Sequence, residues 1–299
     1  MTTDDDAAGR APGDAAGAEA AAWFAVGDDE SPADRVRDGT AAAPADWPAL
    51  AVESGAATDE EDYYEQLREA TVEATRAAVD ERERADDRQL LHAVRAMDDA
   101  ERVANELAER VSEWAGTLFE DAGTGVDGCV ALAERDPEGP AEERVVSLAT
   151  RVADLAAEAD ELEAFIESRA PVAAPNLAAL AGPVLAARLI SLAGGLEPLA
   201  KKPSGTLQVL GAEDALFAHL RGHGSSPKHG VIYTHEYVRG TRPEDRGSAS
   251  RALAGKLTIA ARIDHYSGDY RPELEAELDE RMQTIRARAE DDDGGADDE

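Results

Sequence analysis

The chain has 299 residues, of which 30 are Lys or Arg and 64 are Asp or Glu, so its formal net charge is −34. Its single cysteine excludes an intramolecular disulfide and a cysteine-based zinc site. Because the sequence contains neither an apolar run of about 18 residues nor a basic, apolar leader, we expect a soluble, cytoplasmic protein with no membrane span.

The charge is unevenly distributed. Residues 171–272 contain twelve basic and eight acidic side chains, a net charge of +4, which leaves −38 for the remainder of the chain. Only four of the 30 basic residues are Lys. An acidic surface with Arg in place of Lys is typical of proteins that stay hydrated in very salty cytoplasm. The total negative charge therefore indicates a protein adapted to high salt. The local excess of basic residues over residues 171–272 indicates a candidate binding site for a polyanion.

The N-terminal segment, residues 1–58, is rich in Ala, Asp, Gly and Pro. Its larger apolar side chains are confined to a few places, namely Trp23, Phe24, Trp47 and Leu50. Such a composition buries too little apolar surface to offset chain entropy. We predict disorder over about residues 1–20 and a small, weakly stable unit over residues 21–57.

Residues 59–170 predict an antiparallel coiled-coil hairpin. Residues 59–120 have no Gly before Gly116 and no Pro, and so predict one long helix. In residues 141–168 the apolar spacing alternates between three and four, as in a coiled coil. The linker between them has four glycines and two prolines, which favour a turn. The alternative is that both helices pad a globular bundle. The predicted seam comprises Leu107, Val111, Trp114, Leu148, Val152, Leu155 and Leu162.

Residues 171–272 predict a compact helical domain. An apolar helix, residues 176–191, bends at Gly182 and ends at Gly194, where positive φ is needed. Further helices are predicted over residues 211–220 and 246–266, with a loop over residues 222–240 between them. A last helix over residues 272–289 leads into an acidic tail. The predicted domains are residues 1–58, 59–170, 171–272 and 273–299.

No motif of a common enzyme class is present. The sequence lacks GxGxxG, GxxxxGK[ST], GxSxG and HExxH patterns. Cys129 lies between the two predicted hairpin helices, with no neighbour in the sequence that would activate it as a nucleophile. We therefore expect a protein that is not an enzyme and that binds no cofactor.

Four histidines form the one constellation that suggests a metal site. Two of them are four residues apart, but Gly222 and Gly224 interrupt the helix that would carry them, and no cysteine or carboxylate completes a ligand shell. We expect no metal, and we interpret these histidines as loop residues that hydrogen-bond to backbone: His219, His223, His229 and His235.

The helix over residues 246–266 carries four basic side chains on a background of small and aliphatic ones. At 100° per residue, Arg251 and Arg262 lie about 20° apart and share a face. They are either a solvated, salt-bridged face or a ridge of guanidinium forks that holds phosphate oxygens. In high salt, counterion release contributes little, so RNA binding would depend on shape fit, stacking and directional hydrogen bonds.

Three segments carry a family resemblance: residues 174–217, PKHGVIY over residues 227–233 and RGSASRALAGKLTIAARID over residues 246–264. They resemble the Nop domain of the archaeal scaffold protein of box C/D small ribonucleoproteins. Residues 86–121, with the Glu113-Trp114 pair, resemble its first coiled-coil helix. About 200 of the 299 residues are covered. The composition indicates a haloarchaeal member, and the resemblance implies an all-α fold of a long antiparallel coiled-coil hairpin followed by a compact Nop domain.

The resemblance also implies partners. The family's Nop domain grips a kink-turn of the box C/D guide RNA together with a small kink-turn-binding ribosomal-like protein. Its coiled coil forms a dimer, and its N-terminal domain carries fibrillarin, which binds S-adenosylmethionine and methylates ribose 2′-hydroxyls of rRNA and tRNA. Here the segment before the coiled coil is about half the family's length, so we expect a shortened fibrillarin-binding domain.

Site residues follow by resemblance. The side chains expected at the junction of RNA and kink-turn protein are Lys201, Ser204, Lys228 and His229. The phosphate contacts are expected to be Arg246, Arg251, Lys256 and Arg262. The helix expected to pack near the protein partner carries Gly211, Ala212, Glu213 and Phe217.

Asp214 departs from the family, which has a basic residue at this position. Two other functions stay open at this point. One is a coiled-coil scaffold that binds an acidic protein without direct RNA binding. The other is a metal-dependent enzyme that uses the histidine loop.

Overall fold

The computed structural model describes residues 22–25, 30–41 and 43–294, so the disorder predicted over residues 1–20 lies outside the described residues. Within those ranges the chain forms fourteen α-helices and one 3-10 helix and has no β-strand, which confirms the all-α prediction. The 3-10 helix is Val231–Thr234, and the α-helices are α1 (Pro32–Asp38), α2 (Trp47–Ser54), α3 (Glu60–Arg84), α4 (Asp86–Ala115), α5 (Gly125–Ala133), α6 (Pro140–Ala173), α7 (Pro175–Ala181), α8 (Pro183–Ala193), α9 (Leu196–Ala200), α10 (Ser204–Gln208), α11 (Glu213–Leu220), α12 (Glu236–Arg239), α13 (Arg246–Tyr266) and α14 (Glu273–Gly294).

The chain divides into two compact units, the first ending at Arg84 and the second beginning at Ala85. The first unit has a small aromatic core, in which Trp23 Nε1 donates a hydrogen bond to the Tyr63 hydroxyl at 3.2 Å. The rings of Trp23 and Phe24 meet edge to face with centroids 5.7 Å apart. Helices α1 and α2 both pack against α3. The short apolar spots in the sequence therefore converge on one cluster.

The single helix predicted over residues 59–120 is wrong. Helix α3 ends at Arg84, Ala85 is extended with φ −61° and ψ 145°, and α4 begins at Asp86. The break has a tertiary cause, because Asp87 in the first turn of α4 is buried and its carboxylate accepts a hydrogen bond at 2.9 Å from the backbone N–H of Leu196. Acidic residues are also favoured at a helix N-terminus.

Helices α4 and α6 form the predicted antiparallel hairpin. The end of α4 packs with the start of α6 in one cluster that includes Val111 and Val152, and the start of α4 packs with the end of α6 in a second that includes Met97 and Ile166. The salt bridge between Asp86 and Arg169 connects the base of the hairpin. Helix α6 continues to Ala173, past the predicted boundary at residue 170; the domain boundaries stay predictions.

The seam in α4 differs in one position from the prediction. Val111 and Val152 are buried, and Leu107, Leu148, Leu155 and Leu162 are half-buried against the hairpin core. Trp114, in contrast, is 40% exposed and was wrongly placed in the seam. The reason is that a row of smaller side chains faces α6 and lets the two backbones approach: Ala104, Ala108, Val111 and Ala115.

The linker at the hairpin tip is more ordered than a turn, because residues 125–133 form α5. Cys129 on this helix is buried, and burial raises the pKa of its thiol. Before α5 the backbone of Gly123 lies against Gly128, where an added Cβ would be 2.4 Å from the Gly123 carbonyl carbon. The tip thus depends on both glycines.

Helices α7, α9, α10, α12 and α14 pack around α13, whose buried residues include Leu253 and Leu257, while α8 packs against α4 and α6. Helices α7 and α8 meet at a bend of 117°, and Gly182 at the bend has φ +78°, as predicted. Gly194 ends α8 with φ +91°. No single helix among the described residues is long and apolar enough to cross a membrane; α7 and α8 meet that criterion only together, as a bent pair.

Candidate nucleic-acid interface

Tyr233 is the centre of a stack at the N-terminal end of α13. The His229 ring lies parallel to the Tyr233 ring, with centroids 4.5 Å apart and an interplanar angle of 22°. The guanidinium of Arg246 lies 5.4 Å from the centroid of the same ring. Burial, and the charges of Arg246 and Lys228, lower the pKa of His229, which favours the neutral imidazole. An aromatic and guanidinium surface of this kind suits stacking with nucleobases.

Three hydrogen bonds hold the loop that carries Lys228 and His229. Gln208 Nε2 donates to the Lys228 carbonyl at 2.7 Å. The backbone N–H of Gly230 donates to the Gln208 carbonyl, and that of Val231 donates to the Leu210 carbonyl, both at 2.8 Å. A Cβ on Gly230 would lie 2.0 Å from the Leu210 carbonyl oxygen, so only glycine fits this crossing. The loop is thereby joined to α10, which begins at Ser204.

The predicted junction residues are accessible. Ser204, Lys201 and Lys228 are exposed, and His229 is half-buried. Lys201 Nζ donates to Glu197 Oε1 at 2.6 Å, and this contact raises the pKa of Lys201. Lys201 therefore stays cationic, although part of its charge is balanced locally.

The basic residues of α13 divide into two groups. Arg251 and Arg262 are both exposed, and neither forms an ion pair with any residue in the described part of the chain. Arg262 Nε donates to the Ala200 carbonyl at 3.1 Å, which fixes its direction. Lys256, in contrast, pairs with Glu277 of α14. The salt-bridge interpretation thus applies to Lys256, whereas the two arginines are available to an anion.

Helix α11 has no buried residue. Phe217 is 56% exposed and Leu220 is 70% exposed, and their spacing of three places them on one side of the helix. Before the helix, Gly211 has φ +83° and its N–H donates to Glu213 Oε1 at 2.9 Å. Ala212 is the residue that precedes the first turn. Helix α11 therefore presents apolar surface to solvent, as a protein-docking helix does.

The histidines do not converge on a metal site. His235 Nδ1 accepts a hydrogen bond from the Tyr237 N–H at 3.1 Å, and its Nε2 lies 3.0 Å from the Leu180 carbonyl. His219 Nδ1 lies 3.0 Å from the Gly224 carbonyl. Among the described residues, no three His, Cys, Asp or Glu side chains are grouped to hold a metal ion.

The residues from 222 to 240 include the 3-10 helix and α12, so the predicted continuous loop is wrong.

One cation at this surface was missed by sequence reasoning. A concavity of about 370 Å³ lies between α13 and α14. Its walls include the predicted Arg251 and Lys256, but also Arg281 of α14, which is exposed. The side-chain periodicity of one helix cannot predict that Arg281 lies near Arg251, because their proximity depends on how α13 and α14 pack together. We call this feature the α13–α14 concavity; it is lined by Ser248, Arg251, Ala252, Gly255, Lys256, Ile259 and Arg281.

Comparison with known proteins identifies relatives over this region. The chain is 50% identical over 145 residues to an uncharacterized NOP5 family protein of Methanocaldococcus jannaschii, covering 48% of this chain and 35% of that protein. It is 30% identical over 245 residues to nucleolar protein 58 of Scheffersomyces stipitis, covering 68% of this chain and 48% of that one. Nucleolar protein 56 of Schizosaccharomyces pombe is 43% identical over 125 residues, which are 42% of this chain and 25% of the relative. The chain thus spans between a quarter and a half of these relatives.

A solved structure shares the fold. A chain in a crystal structure of a fibrillarin/Nop5p complex matches with a TM-score of 0.52 and 23% identity, over 88% of this chain and 98% of that chain. The family model named Nop, described as "snoRNA binding domain, fibrillarin", matches residues 129–284. That span contains the hairpin's second helix α6, the Tyr233 stack and all of α13. The chain belongs to the Nop family.

Proposed function

We propose that this chain is a non-enzymatic scaffold of a box C/D small ribonucleoprotein. It binds the kink-turn of a guide RNA together with the kink-turn-binding ribosomal-like protein, and it recruits fibrillarin for guided 2′-O-methylation of rRNA and tRNA. The observation that carries the proposal is the exposed, unpaired couple Arg251 and Arg262 on α13, within the span matched by a snoRNA-binding family model.

The RNA-binding surface is composite. Residues 171–272 have a net charge of only +4, which gives little long-range attraction at high salt. The Tyr233 stack and the guanidinium groups of Arg251 and Arg262, which form no ion pair among the described residues, supply directional contacts instead. The apolar side of α11, with Phe217 and Leu220, lies exposed in the same unit and suits the kink-turn protein. RNA and protein would therefore bind this surface together.

Dimerisation has its own candidate surface. Val103 and Trp114 on α4 are 38% and 40% exposed, and half-buried Leu107 lies between them in the sequence. Their spacings of four and seven repeat the heptad pattern on a flank of α4 outside the hairpin's buried row. A second copy of the chain could cover this flank, which we call the outer stripe. The exposure of Trp114 supports an intermolecular role for its ring.

Fibrillarin recruitment is assigned to the first unit. This unit is short for a fibrillarin-binding domain, but it has its own aromatic core around Tyr63. On α3, Tyr64, Val72 and Val79 are exposed to between 41% and 53% at spacings of eight and seven, so they line one side of the helix. We propose this side as the docking surface of a shortened, haloarchaeal version of the domain.

Binding to a box C/D guide RNA in near-molar KCl tests the proposal. We expect weak binding to the RNA alone and tight binding once the kink-turn protein is present. Arg251→Ala and Arg262→Ala should each weaken the ternary complex by about 1–3 kcal/mol, because each removes charge-assisted contacts. Arg144→Ala, an exposed arginine at the hairpin tip, is the matched control. Tight binding that ignores the kink-turn, or no effect of either α13 substitution, would contradict the proposal.

A further inference from the structure

The α13–α14 concavity brings together cations that are distant in sequence. Arg251 and Arg281 are separated by 30 positions along the chain, yet both line the same space of about 370 Å³. Ala252 and Gly255 form part of the wall and have small or no side chains. The concavity therefore has room for a small anionic group between the two guanidinium groups.

The charge of this concavity is not balanced. Lys256 pairs with Glu277 of α14, so its ammonium already has a counterion and connects the two helices. Arg251 and Arg281 are exposed, and neither has an ion pair among the described residues. Two like charges that line one space without a counterion repel each other, and a bound anion between them would remove that repulsion.

The position of Arg281 is fixed by the packing of α14. The buried side of this helix is formed by Leu274, Leu278, Met282 and Ile285, at spacings of four, four and three. Arg281 lies three residues after Leu278 and immediately before Met282. It is therefore at the edge of the buried side, where its exposed side chain lines the concavity beside α13.

We propose that Arg281 and Arg251 hold one phosphate of the RNA backbone between them, with Lys256 as a positioning residue that keeps α14 in place. This inference rests on the proposed function, and it extends the RNA surface from α13 onto α14. The ligand class is a phosphodiester, for which two guanidinium forks offer bidentate hydrogen bonds from both sides.

The test is a double-mutant cycle in the complete ternary assembly of chain, guide RNA and kink-turn protein. Arg281→Ala should weaken binding about tenfold. It should also reduce the slope of log Kobs against log[KCl] by about one unit, which corresponds to the loss of one phosphate contact. The double variant Arg251→Ala/Arg281→Ala should lose less than the product of the single losses, because both side chains hold the same group. Arg281→Lys should retain part of the affinity.

The matched control is again Arg144→Ala, with helical content measured by circular dichroism for every variant. If Arg281→Ala binds like the control while Arg251→Ala is weakened, the proposed function stands and the two-helix phosphate site is wrong. Fully multiplicative losses in the double variant would also overturn the shared site. If the unaltered chain does not bind the guide RNA together with the kink-turn protein at all, both proposals fail.

Discussion

The carboxylate of Asp264 and the amide of Asn176 form a buried pair that connects α13 to the start of α7. Asp264 Oδ1 accepts hydrogen bonds from the Asn176 backbone N–H at 3.0 Å and from its Nδ2 at 2.6 Å. Asp264 Oδ2 accepts from the Leu177 N–H at 2.8 Å. The helix that carries the candidate RNA contacts thus caps the N-terminus of α7 through tertiary contacts.

Asp264→Ala should lower the free energy of unfolding of the second unit by about 3 kcal/mol, because it leaves two buried N–H groups and a buried amide without their acceptor. Urea unfolding followed by circular dichroism measures the effect. Asp269→Ala is the control, since the Asp269 side chain is exposed and Asn176 binds only its carbonyl. Equal stability of the two variants would show that the cap contributes little.

The stability of the second unit should decrease as the pH falls through the histidine range. Burial lowers the pKa of His235, against the opposing effects of the Leu180 carbonyl and Glu236, and burial also lowers the pKa of His229. A folded-state pKa below the unfolded value means that unfolding takes up protons, so stability is complete above about pH 6.5 and is lost below it.

His235→Asn should make this pH dependence shallower, because Asn retains a cap for the Tyr237 N–H but does not titrate. The measurement is the unfolding free energy between pH 8 and pH 5. At pH 8 the variant reports the loss of the Leu180 contact and of the ring contact with Tyr237. A slope equal to that of the unaltered chain would rule out His235 as a source of the dependence.

The seam and the outer stripe should respond differently to charge. Val152→Asp should destabilise the hairpin by about 3–5 kcal/mol, because it places an unpaired carboxylate at a fully buried position. Trp114→Asp should leave the hairpin folded and weaken only self-association. Circular dichroism and sedimentation measured together separate the two effects. Loss of helix in Trp114→Asp, or retention of it in Val152→Asp, would reverse the assignment of inner and outer sides.

The hairpin tip should not tolerate a side chain at Gly128. Gly128→Ala should cost about 1–3 kcal/mol, since its Cβ would overlap the backbone of Gly123. Gly139→Ala, where no atom lies within 4 Å of the added Cβ, is the control and should change little. Thermal unfolding of both variants gives the comparison. A Gly128→Ala variant as stable as the control would mean that the tip can rearrange.

The parts of the fold that could be predicted from the sequence are those that local sequence patterns determine. Helices α6 and α13, the hairpin and the bend at Gly182 follow from side-chain periodicity and from the backbone freedom of glycine, whereas the short helices α5, α9, α10 and α12 do not. The break at Ala85 was not predictable, because Ala, Arg and Asp are all compatible with a continuous helix and only the contact between Asp87 and Leu196 shows why a new helix starts.

In the candidate site, too, some residues could be predicted from local sequence patterns and others depend on tertiary contacts. Arg251 and Arg262 could be named from their common helical face, and the structure leaves both exposed. Arg281 and the stacking of His229 on Tyr233 depend on contacts between separate elements, so spacing along one segment does not show them. Heptad spacing predicts Trp114 in the seam, but it does not distinguish a large apolar residue on the flank from the small ones, Ala104, Ala108, Val111 and Ala115, that face α6.

The row of small side chains on α4 also determines how the length of the hairpin can be changed. Helix α6 has 34 residues, which is about 51 Å at 1.5 Å per residue. The row of Ala104, Ala108, Val111 and Ala115 lies in the half of α4 nearer the tip, whereas larger side chains such as Met97 and Ile166 pack at the base. Removing seven residues from each helix would preserve the facing rows and bring the tip about 10 Å nearer to α13. The distance from the hairpin tip to α13 is therefore adjustable in whole heptads.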